Sequence, residues 1–387
     1  MVSGVCVSRE QVERIMRLVV DSSRARLITW GLEELPYLTV LPGRALARLV
    51  GSAGLETGER ARWSVVVKVI TPARAGSSVP DSGYREVLAY RSGMLAELPG
   101  RFRAPRVYSI DDSEDGRILL WLEDLHDMYG RDWPIQQFSA AAHDLGVFNG
   151  HYLGSSPPAE PWLNQWLRYA WADEHAEIQR VPSYRADLER TLSMPQVRHH
   201  FASHTVATIT QLLDDQRTFI AWLARLPETL CHHDAALANL FAVSGPDGLV
   251  ETVAVDWEKI GPGPIGAEIA TLTFGTLRRC EFDGARADEL DAAVFDGYVA
   301  GLREAGWQGP IELVRLGYTA AIALRWTVLA GILHMLVHGA GPVRTSQGAL
   351  VASEVVLMQR VRLVEFLLDR ADEARRLGRR WSPSFRS

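Results

Sequence analysis

The chain has 387 residues, of which 47% are hydrophobic and 23% charged, a composition typical of globular proteins with a sizeable core. The net charge of −6 argues against a nucleic-acid-binding protein, since those usually carry an excess of basic residues. Cys6, Cys231 and Cys280 are odd in number and far apart. They suit neither a disulfide framework nor a Cys-x-x-Cys site and predict a cytoplasmic protein.

Residues 1–125 are predicted to form a small β-rich lobe that ends in a connector at residues 121–125. We expect no signal peptide, because no basic start is followed by an apolar run. Helices are predicted over residues 8–22, with Ser8 as N-cap, and over residues 82–98. Short apolar runs bounded by turn residues predict strands at residues 37–41, 45–50, 62–70 and 117–122.

Residues 126–387 are predicted to form a larger, mainly helical lobe. Helical periodicity covers residues 135–153, 161–179, 205–226, 267–277, 285–305, 310–338 and 349–377. Short strands and turns interrupt it at residues 228–255, and the two lobes together predict an α+β, two-lobed fold. The most apolar stretch contains Arg325, whose charge would cost about 2.5–3.5 kcal/mol in a bilayer. We therefore expect a buried helix there and no membrane span.

The strongest local motif is the loop His-His-Asp-Ala-Ala-Leu-Ala-Asn at residues 232–239. Asp234 and Asn239 bracket this loop, and Asp256 ends the next apolar run. An aspartate can accept the proton of an attacking hydroxyl, while an amide oxygen and a second carboxylate can hold Mg²⁺. These three residues therefore suit phosphoryl transfer. The alternative is that Asp234 caps a turn and Asn239 fills a loop.

Lys68 and Lys259 are the two lysines of a chain whose other basic residues are arginines, so a compact ammonium group has a specific use there. Lys68 interrupts an apolar strand, which is costly unless the lysine is paired or exposed. Glu86, in the next predicted helix, could reach it, and such a pair positions nucleotide phosphates in kinases. A lysine that points to water from an edge strand is the alternative.

In this order, the residues resemble the protein-kinase-like fold, and the sequence is similar to the aminoglycoside phosphotransferase and choline kinase group over residues 37–275. The resemblance implies that ATP, or alternatively GTP, binds with Mg²⁺ between two lobes. It also implies transfer of the γ-phosphoryl group to a hydroxyl of an antibiotic, with a sugar or amino-sugar as alternative acceptor. By the same resemblance Asp234 is the catalytic base, Asn239 and Asp256 are metal ligands, and Lys68, held by Glu86, contacts the phosphates.

The resemblance implies further nucleotide contacts at the backbone of Glu123 and Leu125, and a phosphate-covering loop near Gly43. His233 stands where small-molecule kinases of this group usually have glycine, so the backbone angles or the substrate contacts of the loop are expected to differ. Glu258 is expected either to face solvent or to contact Mg²⁺ through water. His233 and Glu258 are thus candidate substrate-site residues.

The acceptor is predicted to be a small molecule, because residues 260–266 lead directly into a helix and leave no room for a peptide-binding activation segment. In this family the helices after the connector wall the acceptor site. Trp162, Trp166 and Glu174 are therefore candidate substrate contacts, with core packing of the tryptophans as the alternative. Asp283, Glu304 and Arg325, in later helices, are weaker candidates. No nucleic-acid or membrane partner is expected.

A second glycine pattern, Gly-x-Gly-x-x-Gly at residues 261–266, formally matches a dinucleotide-binding loop. Pro262 and Pro264 lack the amide hydrogens that a pyrophosphate cradle uses, and a helix follows where a βαβ unit needs a strand. A nicotinamide-dependent oxidoreductase is therefore disfavoured. A zinc site at residues 231–234 is disfavoured because successive side chains point to opposite faces. A nucleotide-binding module without catalysis remains an alternative.

Overall fold

The computed structural model describes residues 5–35, 44–71, 82–130, 132–155, 158–165, 186–201, 203–345 and 348–381. Helix α1 spans Arg9–Val19 and confirms the predicted cap, since the Ser8 hydroxyl accepts from the Gln11 N–H and the Gln11 side chain accepts from the Ser8 N–H. The two reciprocal bonds satisfy amide hydrogens that the first helical turn leaves unpaired.

A five-stranded antiparallel sheet forms the core of the first lobe, in the order β1-β2-β3-β6-β5. Its strands are β1 (Arg26–Glu34), β2 (Arg44–Gly54), β3 (Arg60–Ile70), β5 (Val107–Asp112) and β6 (Ile118–Leu122). The predictions for β2, β3 and β6 are confirmed, whereas the sequence patterns missed β1 and β5. The strand predicted at residues 37–41 lies outside the described residues.

Strand β3 separates its side chains by the alternation of a strand. Val65, Val67 and Val69 are buried toward α1, and Lys68 lies on the opposite face of the sheet. Helix α2 (Ser82–Arg91), shorter than predicted, follows β3 in the chain and carries Glu86. The sheet therefore turns its one lysine away from the apolar core and toward the second lobe.

The second lobe contains three small sheets, and two of them border the motif loop. Strand β4 (Phe102–Arg103) pairs in parallel with β9 (Val250–Ala254), which also pairs with β8 (Leu240–Ser244). Strand β7 (Glu228–Cys231) pairs with β10 (Gly261–Pro264), and β11 (Val343–Arg344) pairs with β12 (Leu350–Val351). The predicted β interruption of the helical lobe is thus confirmed.

Helices make up most of the second lobe. They are α3 (Ile135–Ser155), α4 (Ser203–Asp214), α5 (Gln216–Leu223), α6 (Ala267–Arg278), α7 (Ala287–Glu304), α8 (Ile311–Ala323), α9 (Val328–His338) and α10 (Ser353–Trp381), with short helical segments at 186–193 and Pro195–Arg198. The single helix predicted over residues 310–338 is wrong, because the chain turns between α8 and α9. Residues 161–165 form a turn and coil instead of the start of the predicted helix, whose remainder lies outside the described residues.

Two hydrophobic cores give the molecule its two lobes. One lies between α1 and one face of the sheet, and the other extends from the opposite face and α2 through the helices. This arrangement confirms the predicted α+β, two-lobed fold. The division at residue 125 stays a prediction, since β4 crosses it to pair with β9.

The connector is fixed at both ends. Asp124 accepts from Arg48 of the sheet at 3.0 Å, and the Asp127 carboxylate accepts from the Ala242 N–H of β8 at 2.9 Å.

In the described ranges, no single helix is long and apolar enough to cross a membrane. Only α8 and α9 taken together, bent by 46°, pass that test of length and composition.

Candidate active site

Lys68 joins the two lobes through a pair of carboxylates. Its Nζ lies 2.5 Å from Glu86 Oε2 on α2 and 2.6 Å from Asp256 Oδ1, which follows β9. The Lys68 side chain is 13% exposed and that of Glu86 is 1% exposed, so water screens this pair weakly. Lys68, Glu86 and Asp256 therefore lie together in the structure, although Lys68 and Asp256 are 188 positions apart in the sequence.

These carboxylates keep Lys68 charged. Burial alone lowers the pKa of Lys68, but the attraction of Glu86 and Asp256 more than offsets it and raises the pKa above its ordinary value. Burial raises the pKa of Glu86, against the attraction of Lys68. The ammonium group is thus protonated throughout the physiological range and is available to a phosphate oxygen.

The motif loop is held by its own polar groups. The buried His232 ring bonds through Nε2 to the Val255 carbonyl at 3.0 Å, while its Nδ1 accepts from the Asp234 N–H at 3.2 Å. Burial lowers the pKa of His232, so the neutral ring makes both bonds. The Asn239 amide donates to the Asp234 carbonyl at 3.0 Å. These contacts support the predicted bracing role of His232.

Asn239 and Asp256 fit a magnesium site. The Asn239 Nδ2 is used within the loop, so its Oδ1, which has no partner in the described part of the chain, is left to accept a cation. Asp256 adopts a left-handed conformation (φ 64°) that turns its carboxylate toward Lys68. Mg²⁺ in phosphoryl-transfer sites usually takes one or two protein oxygens and completes its shell with phosphates and water. This donor set meets that requirement.

Lys259 forms a salt bridge with Asp234, the predicted catalytic base. The sequence patterns did not predict this pair. The Lys259 Nζ lies 3.0 Å from Asp234 Oδ2, and the Asp234 side chain is 26% exposed. Asp234 Oδ1 has no partner among the residues described here and remains open to an acceptor hydroxyl. The sequence signal for this pair was the scarcity of lysine, since the two lysines of the chain, Lys68 and Lys259, both lie at this site.

Glu268, in the first turn of α6, supports the loop from below and was also missed. Its carboxylate accepts from the His232 N–H at 2.6 Å and from the His233 N–H at 3.1 Å. Burial raises the pKa of Glu268 to about 7, although the backbone bonds oppose that rise. An acidic residue just after a Gly-Pro segment was the only sequence signal.

His233 keeps the backbone shape that glycine would favour, with φ at 63°. Its Nε2 lies 3.0 Å from the Pro262 carbonyl, so the ring is directed at β10. Burial lowers the pKa of His233 to about 4, and the ring is neutral at pH 7. The expectation that the backbone angles or the substrate contacts of this loop differ from those of similar kinases stays a prediction.

The glycine pattern at residues 261–266 is explained by close packing. A Cβ on Gly261 would lie 2.0 Å from the Asn164 carbonyl oxygen, and one on Gly263 would lie 2.4 Å from His233 Cε1. Both glycines belong to β10, which leads into α6 and then α7 without an intervening strand. The geometry provides no βαβ unit and so disfavours the dinucleotide-binding interpretation.

The connector offers the backbone groups expected for a nucleotide base. The Glu123 N–H donates to the Arg106 carbonyl at 2.8 Å, and the Glu123 carboxylate pairs with Arg103 at 2.7 Å. Neither the Glu123 carbonyl nor the Leu125 N–H forms a hydrogen bond with another described residue. Their contacts with an adenine remain a prediction.

The predicted acceptor residues have different outcomes. Glu258 is 7% exposed, so the expectation that it faces solvent is wrong. Trp162 lies in a turn, and its carbonyl accepts from Arg85, whose Nη1 donates to the Glu258 carbonyl. Trp162 therefore lies near the segment that follows Asp256, and substrate contact by Trp162 or Glu258 stays a prediction. Gly43, Trp166 and Glu174 lie outside the described residues.

No protein-family model and no curated protein matches the chain. Solved structures do match. The amicoumacin kinase hAmiN in complex with AMP-PNP, Ca²⁺ and Ami is 13% identical and covers 94% of each chain, with a TM-score of 0.47. An aminoglycoside phosphotransferase from Alicyclobacillus acidocaldarius is 13% identical and covers 99% of this chain and 98% of its own, with a TM-score of 0.44.

A third matching structure is the aminoglycoside phosphotransferase APH(3'')-Id from Streptomyces rimosus. It is 16% identical, covers 83% of this chain and 100% of its own, and has a TM-score of 0.41. All three are kinases of the kind that the sequence motifs resemble. Similarity at TM-scores below 0.5 does not indicate an activity or a substrate. Both are therefore inferred from the residues of the site.

Proposed function

We propose that this protein transfers the γ-phosphoryl group of ATP to a hydroxyl group of a small molecule. The observation that carries the proposal is the meeting of two charged centres, Lys68 with Asp256 and Asp234 with Lys259, around the Asn239 loop. Phosphoryl transfer needs little covalent chemistry from the protein and depends on such positioning and charge.

In the proposed reaction, Asp234 accepts the hydroxyl proton while the hydroxyl oxygen bonds to the γ-phosphorus and the bond to the β,γ-bridging oxygen breaks, releasing ADP. Lys68, fixed by Glu86, contacts the phosphates, and Lys259 holds the second oxygen of Asp234. Asn239 and Asp256 would hold Mg²⁺, which when bound neutralises charge on the transferred group. The Glu123 and Leu125 backbone would bind the adenine.

The proposed acceptor is an antibiotic of the aminoglycoside type or another hydroxyl-bearing antibiotic, with a sugar as the second class. Both offer an alcohol that Asp234 can deprotonate. Nucleotide turnover with a panel of both classes, followed by mass detection of a product that gains one phosphate, identifies the acceptor. The same panel with GTP in place of ATP determines the nucleotide preference.

Asp234→Asn tests the proposed base. Loss of general-base help should lower kcat by roughly 10²–10⁴ or more, while nucleotide still binds because Lys68 and Asp256 are intact. Asp247→Asn, an exposed aspartate paired with Arg101, is the matched control and should retain full turnover. Retained turnover in Asp234→Asn would refute this assignment, and nucleotide binding without turnover by any acceptor would favour a binding module.

A further inference from the structure

Arg325 is a partly buried cation that forms no salt bridge with a carboxylate of the described residues. It lies in the turn between α8 and α9, and its Nη2 donates to the Thr271 hydroxyl of α6 at 2.6 Å. The guanidinium lies 5.6 Å from the centre of the Phe274 ring, and its Nε is buried with no hydrogen-bond partner. Most of its five N–H donors are thus unused within the described structure.

An unpaired charge that is partly withdrawn from water is costly, since for a fully buried ion the penalty is several kcal/mol even after relaxation. Burial lowers the pKa of Arg325 to about 10, against the attraction of Asp234 and with the repulsion of Arg278. The Asp234 carboxylate is already paired with Lys259 at 3.0 Å. The guanidinium of Arg325 is therefore charged at pH 7, and no carboxylate of the described residues is its own counter-ion.

Arg325 contacts the face of α6 that packs against the loop of Asp234, where the acceptor is proposed to bind. Glu268, Thr271, Gly275 and Arg278 follow one another at helical spacing along one face of α6. Glu268 holds the motif loop, and a Cβ on Gly275 would lie 3.6 Å from Ala236 Cβ in that loop. Thr271, the partner of Arg325, and Arg278 therefore lie on the face of α6 that packs against the loop of Asp234.

Arg278, at the end of α6, is the second cation of this face. It is exposed, and among the described residues it has no ion pair with a carboxylate. Its carbonyl accepts from Arg360 of α10, which fixes the helix end without neutralising the side chain. Lys68 pairs with Glu86 and Asp256 and, under the proposed function, contacts the phosphates of the nucleotide. The two arginines are thus available to a group other than ATP.

We propose that Arg278 and Arg325 bind an anionic group, a phosphate or a carboxylate, on the acceptor molecule. This inference rests on the proposed function and narrows its substrate class, since it selects acidic antibiotics or acidic sugars over polycationic ones. Guanidinium groups match the planar or tetrahedral oxyanion through paired N–H donors. Binding there would supply a counter-ion that Arg325 lacks among the described residues.

The test is a calorimetric titration of the full-length protein, saturated with AMP-PNP and Mg²⁺, with inorganic phosphate and with acetate. One of the two anions should bind, and Arg278→Ala and Arg325→Met should each weaken it by about tenfold or more. Arg286→Ala, at an exposed arginine paired with Glu289, is the control and should bind like the wild type. The tighter anion identifies the group.

Arg278→Ala removes an exposed side chain, so it keeps the test valid even if Arg325→Met does not fold. No binding of either anion, or binding that both arginine variants leave unchanged, overturns the inference. If AMP-PNP itself fails to bind, the proposed function is wrong, and the titration is then made on Lys68→Met without nucleotide. An arginine-dependent anion site that persists there supports the inference independently of kinase activity.

Discussion

Two lysines and their carboxylates form the centre of the site. Lys68 links Glu86 and Asp256, and Lys259 links to Asp234, so each lysine restrains a carboxylate that the proposed reaction uses. A lysine ammonium is a compact charge on a flexible stem, which suits contact with single oxygens better than the planar fork of an arginine. This explains why a chain otherwise rich in arginine has lysine at these two positions.

Lys259→Met should lower kcat by roughly 10- to 100-fold, because a misplaced catalytic group loses about that much and Asp234 would lose one of its restraints. Lys259→Arg should restore part of the rate, since the charge remains. Steady-state kinetics with ATP and the identified acceptor measures both. A kcat equal to that of the wild type in Lys259→Met would show that Asp234 needs no such restraint.

His233 makes the stability of the loop depend on pH. Its folded pKa of about 4 lies below the ordinary value of 6.5, so the folded state prefers the neutral ring. The contribution of His233 is present above pH 6.5 and is lost as the pH falls toward 4. His233→Gly, which also suits the left-handed backbone, should therefore lose less thermal stability than the wild type between pH 7 and pH 4.5.

Melting temperatures of wild type and His233→Gly over that range provide the measurement. Glu268 acts in the opposite sense, since its folded pKa of about 7 lies above the ordinary 4.5 and its contribution falls as the pH rises through 7. The comparison between the two proteins isolates the histidine because Glu268 is common to both. Parallel pH profiles would contradict the assignment.

At the level of elements, α3 and α7 pack unusually closely through glycines. A Cβ on Gly146 of α3 would lie 2.2 Å from the Tyr298 carbonyl oxygen, and one on Gly301 of α7 would lie 2.0 Å from the His143 carbonyl oxygen. This contact also positions Asn149, which donates to the Leu230 carbonyl of β7 and accepts from the Tyr298 hydroxyl. Close helix packing thus fixes the strand that leads into the motif loop.

Gly301→Ala should destabilise the protein by about 1–3 kcal/mol or more, because the added methyl group overlaps a helix backbone that cannot move aside cheaply. Gly331→Ala is the matched control. Gly331 lies on an exposed face of α9 with no atom within 4 Å of its Cβ position, and the change should stabilise by up to about 1 kcal/mol. Denaturant or thermal unfolding compares them, and equal stability of the two variants would argue against tight α3–α7 packing.

At the level of the whole molecule, polar contacts link the two lobes. The connector joins them through Arg48, Asp124 and Asp127, and the contact of Lys68 with Asp256 joins them directly. A ligand that binds groups of both lobes should therefore stabilise the lobes together, because it binds only when they are in register.

AMP-PNP with Mg²⁺ at 100 times its dissociation constant should stabilise the wild type by about 2.7 kcal/mol and raise its melting temperature. Lys68→Met should abolish most of this rise, whereas Asp234→Asn should keep it, because the proposed base does not hold the nucleotide. Differential scanning fluorimetry of the three proteins measures the effect. A rise that persists in Lys68→Met would place the nucleotide elsewhere.

The sequence by itself determined those features that depend on residues close in the chain. The N-cap of Ser8, strands β2, β3 and β6, and most helices follow from local periodicity, and Asp234 and Asn239 share one loop of five residues' separation. The helix predicted across residues 310–338 was wrong because apolar periodicity continues through the turn that contains Arg325. Strands β1 and β5 were missed because apolar and polar residues do not alternate regularly along them.

Tertiary structure decided the contacts between residues far apart in the chain. Glu268 meets His232 across 36 positions, Arg325 meets Thr271 across 54, and Lys68 meets Asp256 across 188. No local pattern encodes these pairs, because each depends on how whole helices and strands pack. The sequence alone thus predicts the chemical groups of the loop, whereas the fold decides which residues support the loop and that Arg325 contacts Thr271.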